Sequence, residues 1–314
     1  MRVLITGGGG PGSELLWKLW GKEHTIYFAD QDISRIHPGI PLQQRVQVSP
    51  GIDSLFVSQL VAASKELAID IIISQVDEEL VSLAEHTKEL APTIFVSPQT
   101  SFIEIFLDKF QAGISLASKG IPEPETSLLN SESRFGSGPI LVKPRFGRGS
   151  RDIFTARSEP EFEKLKEYLL IRKEDFICQS LKSGIEYSVQ MMANSLGELK
   201  AIIPVRINAK RGSTTSGKVD NSTLVISTCQ NLHSKYLPTG TYNIQLILDE
   251  IDGIAYTFEV NPRVSTTMCL GLFGGADPIK IFFDLESKNS LRLVDNGLEL
   301  QRYWINSVTS EESI

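Results

Sequence analysis

The chain has 314 residues, 41% apolar and 22% charged, with a net charge of -7; that length holds two or three subdomains with cores of their own, and the composition is that of an ordinary globular protein. The acidic balance argues against a nucleic-acid partner, because phosphate backbones call for clustered Lys and Arg that release counterions. The apolar run after Met1 is too short for a signal peptide and no stretch is long enough for a membrane span, so a cytoplasmic location without a membrane partner is the expectation.

The first hundred residues alternate strand and helix patterns: Val3 to Ile5, a helix from Ser13 to about Lys22, a strand at Thr25 to Ala29, and a helix around Asp53 to Leu67. A strand at Ile69 to Ile73, a helix around Glu78 to Leu90 and a strand at Thr93 to Val96 follow. This alternation is the mark of a parallel sheet with crossover helices. The first turn, Gly7 to Gly12, satisfies G-x-G-x-x-G, and Asp30 ends the second strand where a ribose-binding acid would fall. The domain stops after about four strands, half of a dinucleotide fold, so Gly9 and Gly10 are read as contacts to a carboxylate or phosphate of another substrate, or as packing. Asp77 and Glu78 follow a buried strand at the end where open parallel sheets place ligands; helix capping by Asp77 is the alternative.

Ser97-Pro98 marks a boundary, and Thr100 to Lys119 reads as one helix ending at Gly120, with the pair Asp108-Lys109 inside it. Pro139 to Pro144 is a strand carrying Lys143 into a glycine-rich basic loop, Arg145-Phe-Gly147-Arg148-Gly149-Ser150-Arg151. Such a loop closes over phosphates with backbone N–H groups and cations, and its crowded positive charges would repel one another without an anion. Gly-Lys-Ser before a helix is missing, so it is no Walker A loop. A helix from Pro160 to Leu170, a strand–turn–strand from Asp175 to Met191, a strand from Ala201 to Arg206 and a polar loop from Lys210 to Gly217 follow. The loop is either an ordered substrate lid or disordered.

Asn243 to Glu250 and Ile254 to Asn261 flank Ile251-Asp252-Gly253, a three-residue hairpin loop with Gly at the left-handed position. Pairing Glu250 with Ile254 sets Gln245 opposite Glu259 and Asn243 opposite Asn261, one polar face, with Leu246, Leu248, Tyr256, Phe258 and Val260 on the other. Oxygen donors on one face suit magnesium, which takes one or two carboxylates and otherwise substrate phosphates or water; a solvated strand face is the plain alternative. Ser265 to Thr267 leads to glycines at 271, 274 and 275, a helix from about Asp277 to Leu285 and a short terminal piece. Cys178, Cys229 and Cys269 and the four histidines, His24, His37, His86 and His233, are scattered, with neither a disulfide framework nor a zinc spacing.

Asp108-Lys109, Val142-Lys143-Pro144 with the glycine loop, Gln179 with Glu186, and Gln245, Glu259 and Asn261 occur in an order that resembles the ATP-grasp superfamily. The chain is most similar to one synthetase half of the carbamoyl-phosphate synthetase large chain, and more loosely to biotin carboxylase and D-alanine–D-alanine ligase. The resemblance implies a mixed α/β and α+β fold: a Rossmann-like domain over residues 1–97, then a two-lobed ATP-grasp domain over 98–314, with a small lid lobe at 98–174 and the nucleotide- and metal-binding lobe at 175–314. It also implies ATP and Mg2+ (or Mn2+), with Lys109, Lys143, Gly147, Gly149 and Ser150 on the phosphates. Gln179, Ser180, Leu181 and Lys182 would line the adenine pocket, Glu186 would take the ribose, and Gln245, Glu259 and Asn261 the metal. Arg263, Lys143 and, on its strand, Arg206 would meet the transferred phosphoryl group. Gly9, Gly10, Asp77, Glu78, Arg211 and Ser265 are the candidates for substrate contact. The implied function is ATP-dependent joining of a small carboxylate to an amine through an acyl phosphate; the alternatives are a half-synthetase that phosphorylates bicarbonate or carbamate with a partner chain, and, farther off, an NAD-dependent oxidoreductase or a non-catalytic nucleotide-binding protein. With one grasp unit in the chain, complete carbamoyl phosphate synthesis by it alone is not expected. Ser150-Arg151-Asp152 departs from the pattern, where relatives usually have another glycine. Relatives are often homodimers, though nothing in the sequence marks an interface.

Overall fold

The computed structural model describes residues 1–147, 149, 151–285 and 290–303. Near-continuous apolar runs make the first strands fully buried, as a sheet covered on both faces requires. The elements run β1 (Arg2–Thr6), α1 (Ser13–Trp20), β2 (Thr25–Asp30), β3 (Arg45–Gln47), α2 (Phe56–Glu66), β4 (Ile71–Ser74), α3 (Asp77–Glu85), α4 (Thr87–Leu90) and β5 (Ile94–Phe95). Their strands form one all-parallel sheet in the order β3-β2-β1-β4-β5.

The expected single helix over 100–119 is two, α5 (Thr100–Leu107) and α6 (Lys109–Ser118). The break is Asp108, whose extended backbone (ψ 104°) frees its carboxylate to accept from the N–H groups of Phe110 and Gln111 and so cap α6. A four-stranded sheet follows, from β6 (Thr126–Leu128), β7 (Ile140–Pro144) and β8 (Phe154–Ala156), then α7 (Glu159–Leu170) and β9 (Phe176–Ser180), in the order β6-β9-β7-β8. Because β9 pairs with both β6 and β7, and α5–α6 pack on the other lobe, the expected division at residue 174 cuts across the sheets.

The large sheet holds β10 (Ile185–Ala193), β11 (Leu199–Arg211), β12 (Ser213–Val219), β13 (Thr241–Leu248) and β14 (Ala255–Asn261), with the short β15 (Arg292–Leu293) and β16 (Glu299–Gln301). The helices of this region are α8 (Thr223–Tyr236), α9 (Met268–Phe273) and α10 (Pro278–Phe282). Residues 210–217 are no loop: they complete the β11–β12 hairpin, which turns at Gly212 with φ 71°. α8 carries no strong sequence signal, since Thr, Val, Ile and Ser fill its first turns, and its buried Val225, Cys229, Leu232 and His233 are held by packing on the sheet.

Asn243 pairs with Asn261 and Gln245 with Glu259, as the hairpin reading expects. Between Gln245 and Leu246 the register shifts by one, so Leu246 meets Thr257 and the loop closes from Asp249 to Ile254, not from Glu250. This bulge reverses the faces before it. Thr257 and Ala255 are the buried residues, and Phe258 and Tyr256, expected among the core, point to the side that carries Glu259.

One core joins the parallel-sheet domain to the large sheet: Val3, Ile5 and Leu16 pack with Ile203, Met268 and Ile279, and Trp20 Nε1 donates to Asp277 at 3.1 Å. The small sheet has its own core of Ile140, Val142, Phe162, Leu169 and Phe176. The molecule is a mixed α/β structure, a parallel-sheet domain followed by two antiparallel-sheet lobes.

Candidate active site

Strand alternation lines the face of β10, β13 and β14 with Ser188, Gln190, Asn243, Gln245, Glu259 and Asn261. The inner members are satisfied from within: Ser188 Oγ donates to Asn243 Oδ1 at 2.9 Å, and Gln190 accepts from the Ser265 N–H. Glu259 and Gln245 remain half-buried at the cleft. Lys109 Nζ stands 3.8 Å from Glu259 and donates to the Gly147 carbonyl at 2.6 Å.

Two further lysines reach the same place. Lys143, 4% exposed, donates to the Phe258 carbonyl at 3.3 Å and lies 5.6 Å from the Phe258 ring centre. Lys210 lies 6.0 Å from that ring and pairs with Glu186 at 2.6 Å. Burial pulls Lys143 down to about 8; Glu259 opposes the shift, and Lys109 and Lys210 add to it. Three ammonium groups, with the carboxylates of Glu259 and Glu186 among them, make a pocket for a multiply charged anion. Lys109, Gln179, Phe258 and Glu259 also share the wall of a small cavity between α6, β9 and β14.

Gly147 and Gly149 take φ 115° and 75° in the loop after β7, conformations that favour glycine. An added Cβ on Gly212 would lie 3.5 Å from the Gly149 carbonyl, so the β11–β12 tip carrying Arg211 approaches this loop. Ser150, named from the sequence, lies outside the described residues. At the crossing from β9 to β10, Gln179 donates to Thr126 Oγ1 at 2.9 Å, and the N–H groups of Ser180 and Leu181 bond Glu125 and Pro139. The Lys182 N–H bonds no partner among the described residues, and its Nζ lies 3.9 Å from the Tyr256 ring centre.

In the parallel domain, Gly10 N–H donates to the Gly7 carbonyl and Gly9 N–H to Asp30 Oδ2 at 2.8 Å, so Asp30, where a ribose acid was expected, closes the glycine turn on itself. Asp77 opens α3 beside Glu78, and it grips the half-buried Arg263 through Nε and Nη2. Burial alone would lower Arg263; Asp77, Glu259 and Glu78 more than offset it and hold the guanidinium charged. Arg263 Nη2 also lies 3.4 Å from Asn261 Oδ1. Ser265 is engaged locally, Oγ to Thr267 Oγ1 at 2.6 Å.

Arg206 does not join this group. It pairs with Tyr187, whose buried ring belongs to the core on the opposite face of the sheet, so alternation points Arg206 away from Glu259. Lys210 occupies the place expected of it, brought round by one extra residue in β11, Asn208, which no sequence pattern announces; the next shift puts its extra residue, Thr215, in β12. Asp108, expected inside one helix, is instead the cap that opens α6; the signal available was an Asp capping the residues that follow it.

Among the described residues no three His, Cys, Asp or Glu side chains cluster to form a complete metal cage. One carboxylate and two amide oxygens, from Glu259, Asn261 and Gln245, fit magnesium, which leaves its other positions to phosphates and water. No helix among the described residues is long and apolar enough to cross a membrane.

The family described as ATP-grasp in the biosynthetic pathway with Ter operon matches residues 172–306. By sequence, the chain has no significant match to curated proteins. Among solved structures, carboxyaminoimidazole ribonucleotide synthase from Aspergillus clavatus, complexed with ATP, superposes with a TM-score of 0.70 at 16% identity, over 94% of this chain and 79% of that one. The biotin carboxylase domain of 2-oxoglutarate carboxylase from Hydrogenobacter thermophilus, with MgADP and bicarbonate, gives 0.65 at 16%, over 93% and 71%. L-amino acid ligase from Bacillus licheniformis gives 0.63 at 15%, over 86% and 68%. With its parallel-sheet domain, two antiparallel lobes and lysine-lined cleft, the chain has the fold of these neighbours, and its residues 172–306 match an ATP-grasp family.

Proposed function

We propose that the protein is an ATP-dependent carboxylate–amine ligase acting on small molecules. The observation that carries the reading is the convergence of Lys109, Lys143 and Lys210 on the Phe258–Glu259 segment. Fixed cations in a partly dry cleft stabilise charge on a transferring phosphoryl group far better than they would in water. The base lies against Ser180 to Lys182, where the open Lys182 N–H reads its edge, and the ribose hydroxyls displace Lys210 from Glu186. Gly147 and Gly149 close over the phosphates.

Glu259 and Asn261, with Gln245, hold the magnesium ion, which supplies charge neutralisation at the terminal phosphates. A substrate carboxylate oxygen attacks the γ-phosphorus, the bond to the β,γ-bridging oxygen breaks, and ADP leaves with the electron pair. Arg263, kept charged by Asp77, faces the phosphoryl group. An amine then attacks the acyl carbon; phosphate leaves with its bonding pair, the nitrogen loses a proton, and an amide remains. The closed small lobe keeps water from the acyl phosphate. No side-chain nucleophile takes part.

The ATP and MgADP bound by the neighbours favour ATP, and the bicarbonate in one of them supports a second reading, formation of carboxyphosphate. That reading requires bicarbonate-stimulated ADP release without an organic acid. For the metal assignment the test is Glu259→Gln: ADP release in the presence of Mg-ATP and the competent acid and amine falls by at least about tenfold, the scale of one lost charge interaction. Full activity in this variant would sink it.

A further inference from the structure

Arg145 stands at the base of the glycine loop, where its charge would ordinarily be counted toward phosphate binding. Its side chain is engaged elsewhere. Nε lies 3.0 Å from both oxygens of Asp108, Nη2 lies 2.7 Å from Oδ2, and Nη1 lies 3.3 Å from Asp175. The pair is shielded, with side chains 22% and 11% exposed. Burial works against ionisation of Asp108, but Arg145 and the α6 N–H groups hold its carboxyl below the ordinary carboxylate range.

Asp108 therefore does two things at once. It caps α6, which begins with Lys109, and it holds the residue from which the glycine loop departs. Backbone contacts run along the same path: Lys109 N–H donates to the Arg145 carbonyl at 3.1 Å, and Arg145 N–H to the Asp175 carbonyl at 2.8 Å. Phe110 and Phe146 flank the guanidinium at 5.7 and 5.3 Å. The small lobe has a separate core, so this pair is a principal tie between the loop and the lobe that carries Glu259.

We propose that Asp108 and Arg145 are positioning residues that set Lys109 and the glycine loop at a fixed separation for the phosphates of the nucleotide. The inference rests on the nucleotide reading above and assigns neither residue a direct phosphate contact. A forked guanidinium on a carboxylate fixes direction as well as distance, which a lysine at the same place cannot do.

Equilibrium binding of ATP, ADP and adenosine to the full chain tests it, with Asp108→Asn, Arg145→Gln and the double variant. The carboxamide keeps an oxygen for the α6 cap while losing the charge that holds Arg145. Each single variant weakens ATP and ADP about tenfold, the scale of one charge-assisted pair, and leaves adenosine within about twofold. The double variant is no worse than either single one, because both remove the same contact. Unchanged ATP affinity, equal losses for all three ligands, or additive losses in the double variant overturn the proposal. Failure of the unaltered protein to bind ATP overturns the nucleotide reading itself, and this inference with it.

Discussion

Nucleotide binding is expected to take up a proton at Lys143. In the free protein this ammonium is buried beside Lys109 and Lys210, with Glu259 as its nearby carboxylate, and burial brings it from 10.5 to about 8. That difference corresponds to about 3 kcal/mol of disfavoured charge. Phosphates placed against Lys143 restore the missing counter-charge and return it toward its ordinary value. At pH 8.5 roughly three quarters of the free protein lacks this proton and nearly all of the complex holds it, so binding takes up about 0.75 proton, against about 0.1 at pH 7. Affinity for ATP then falls toward tenfold per pH unit above about 8. The stability of the free protein moves the other way. The unfolded chain keeps its lysine proton up to about 10.5 and so holds more protons than the folded one between about pH 8 and 10.5, and stability rises with pH across that window. Titration calorimetry at pH 8.5 in buffers of different ionisation enthalpy measures the uptake directly. Uptake near zero, or the same uptake in Lys143→Met, refutes the reasoning.

Two other outcomes follow from the parallel domain. Asp77→Asn leaves the half-buried Arg263 charge without its carboxylate, which costs about 2 kcal/mol in chemical denaturation, between an exposed and a fully buried pair; a loss under about 0.5 kcal/mol, the size of an exposed pair, contradicts the reasoning. Because Asp30 is taken up by the Gly9 N–H, fluorescence titration shows ATP binding and no saturable NADH binding, whereas tight NADH binding would reinstate the dinucleotide reading of the glycine turn.

Much of the fold could be read because burial imposes simple periods. The apolar runs of β1, β2 and β4 announce a parallel sheet, and the pairing of Gln245 with Glu259 follows from putting polar groups on one face. What escaped depends on departures from those periods. The bulge beside Gln245 sends Phe258 and Tyr256 into the cleft, and the extra residue Asn208 in β11 brings Lys210 in while Arg206 faces away; each adds a residue without changing composition or hydrophobicity. Asp108 and Arg145 illustrate a second kind of limit. Charges 37 residues apart cancel only when the fold brings them together, so a basic loop looked wholly available to an anion. Helix α8 is the third, since its helicity depends on the sheet beneath it and not on its own propensities.

The central claim is that a carboxylate is activated as an acyl phosphate. Incubating the protein with Mg-ATP, hydroxylamine and a panel of small carboxylates measures it, since hydroxylamine traps an acyl phosphate as a hydroxamate before the natural amine is known. The expected result is hydroxamate formed with ADP, mole for mole, for at least one carboxylate in the panel. ADP release stimulated by bicarbonate alone, with no hydroxamate from any organic acid, contradicts the ligase assignment.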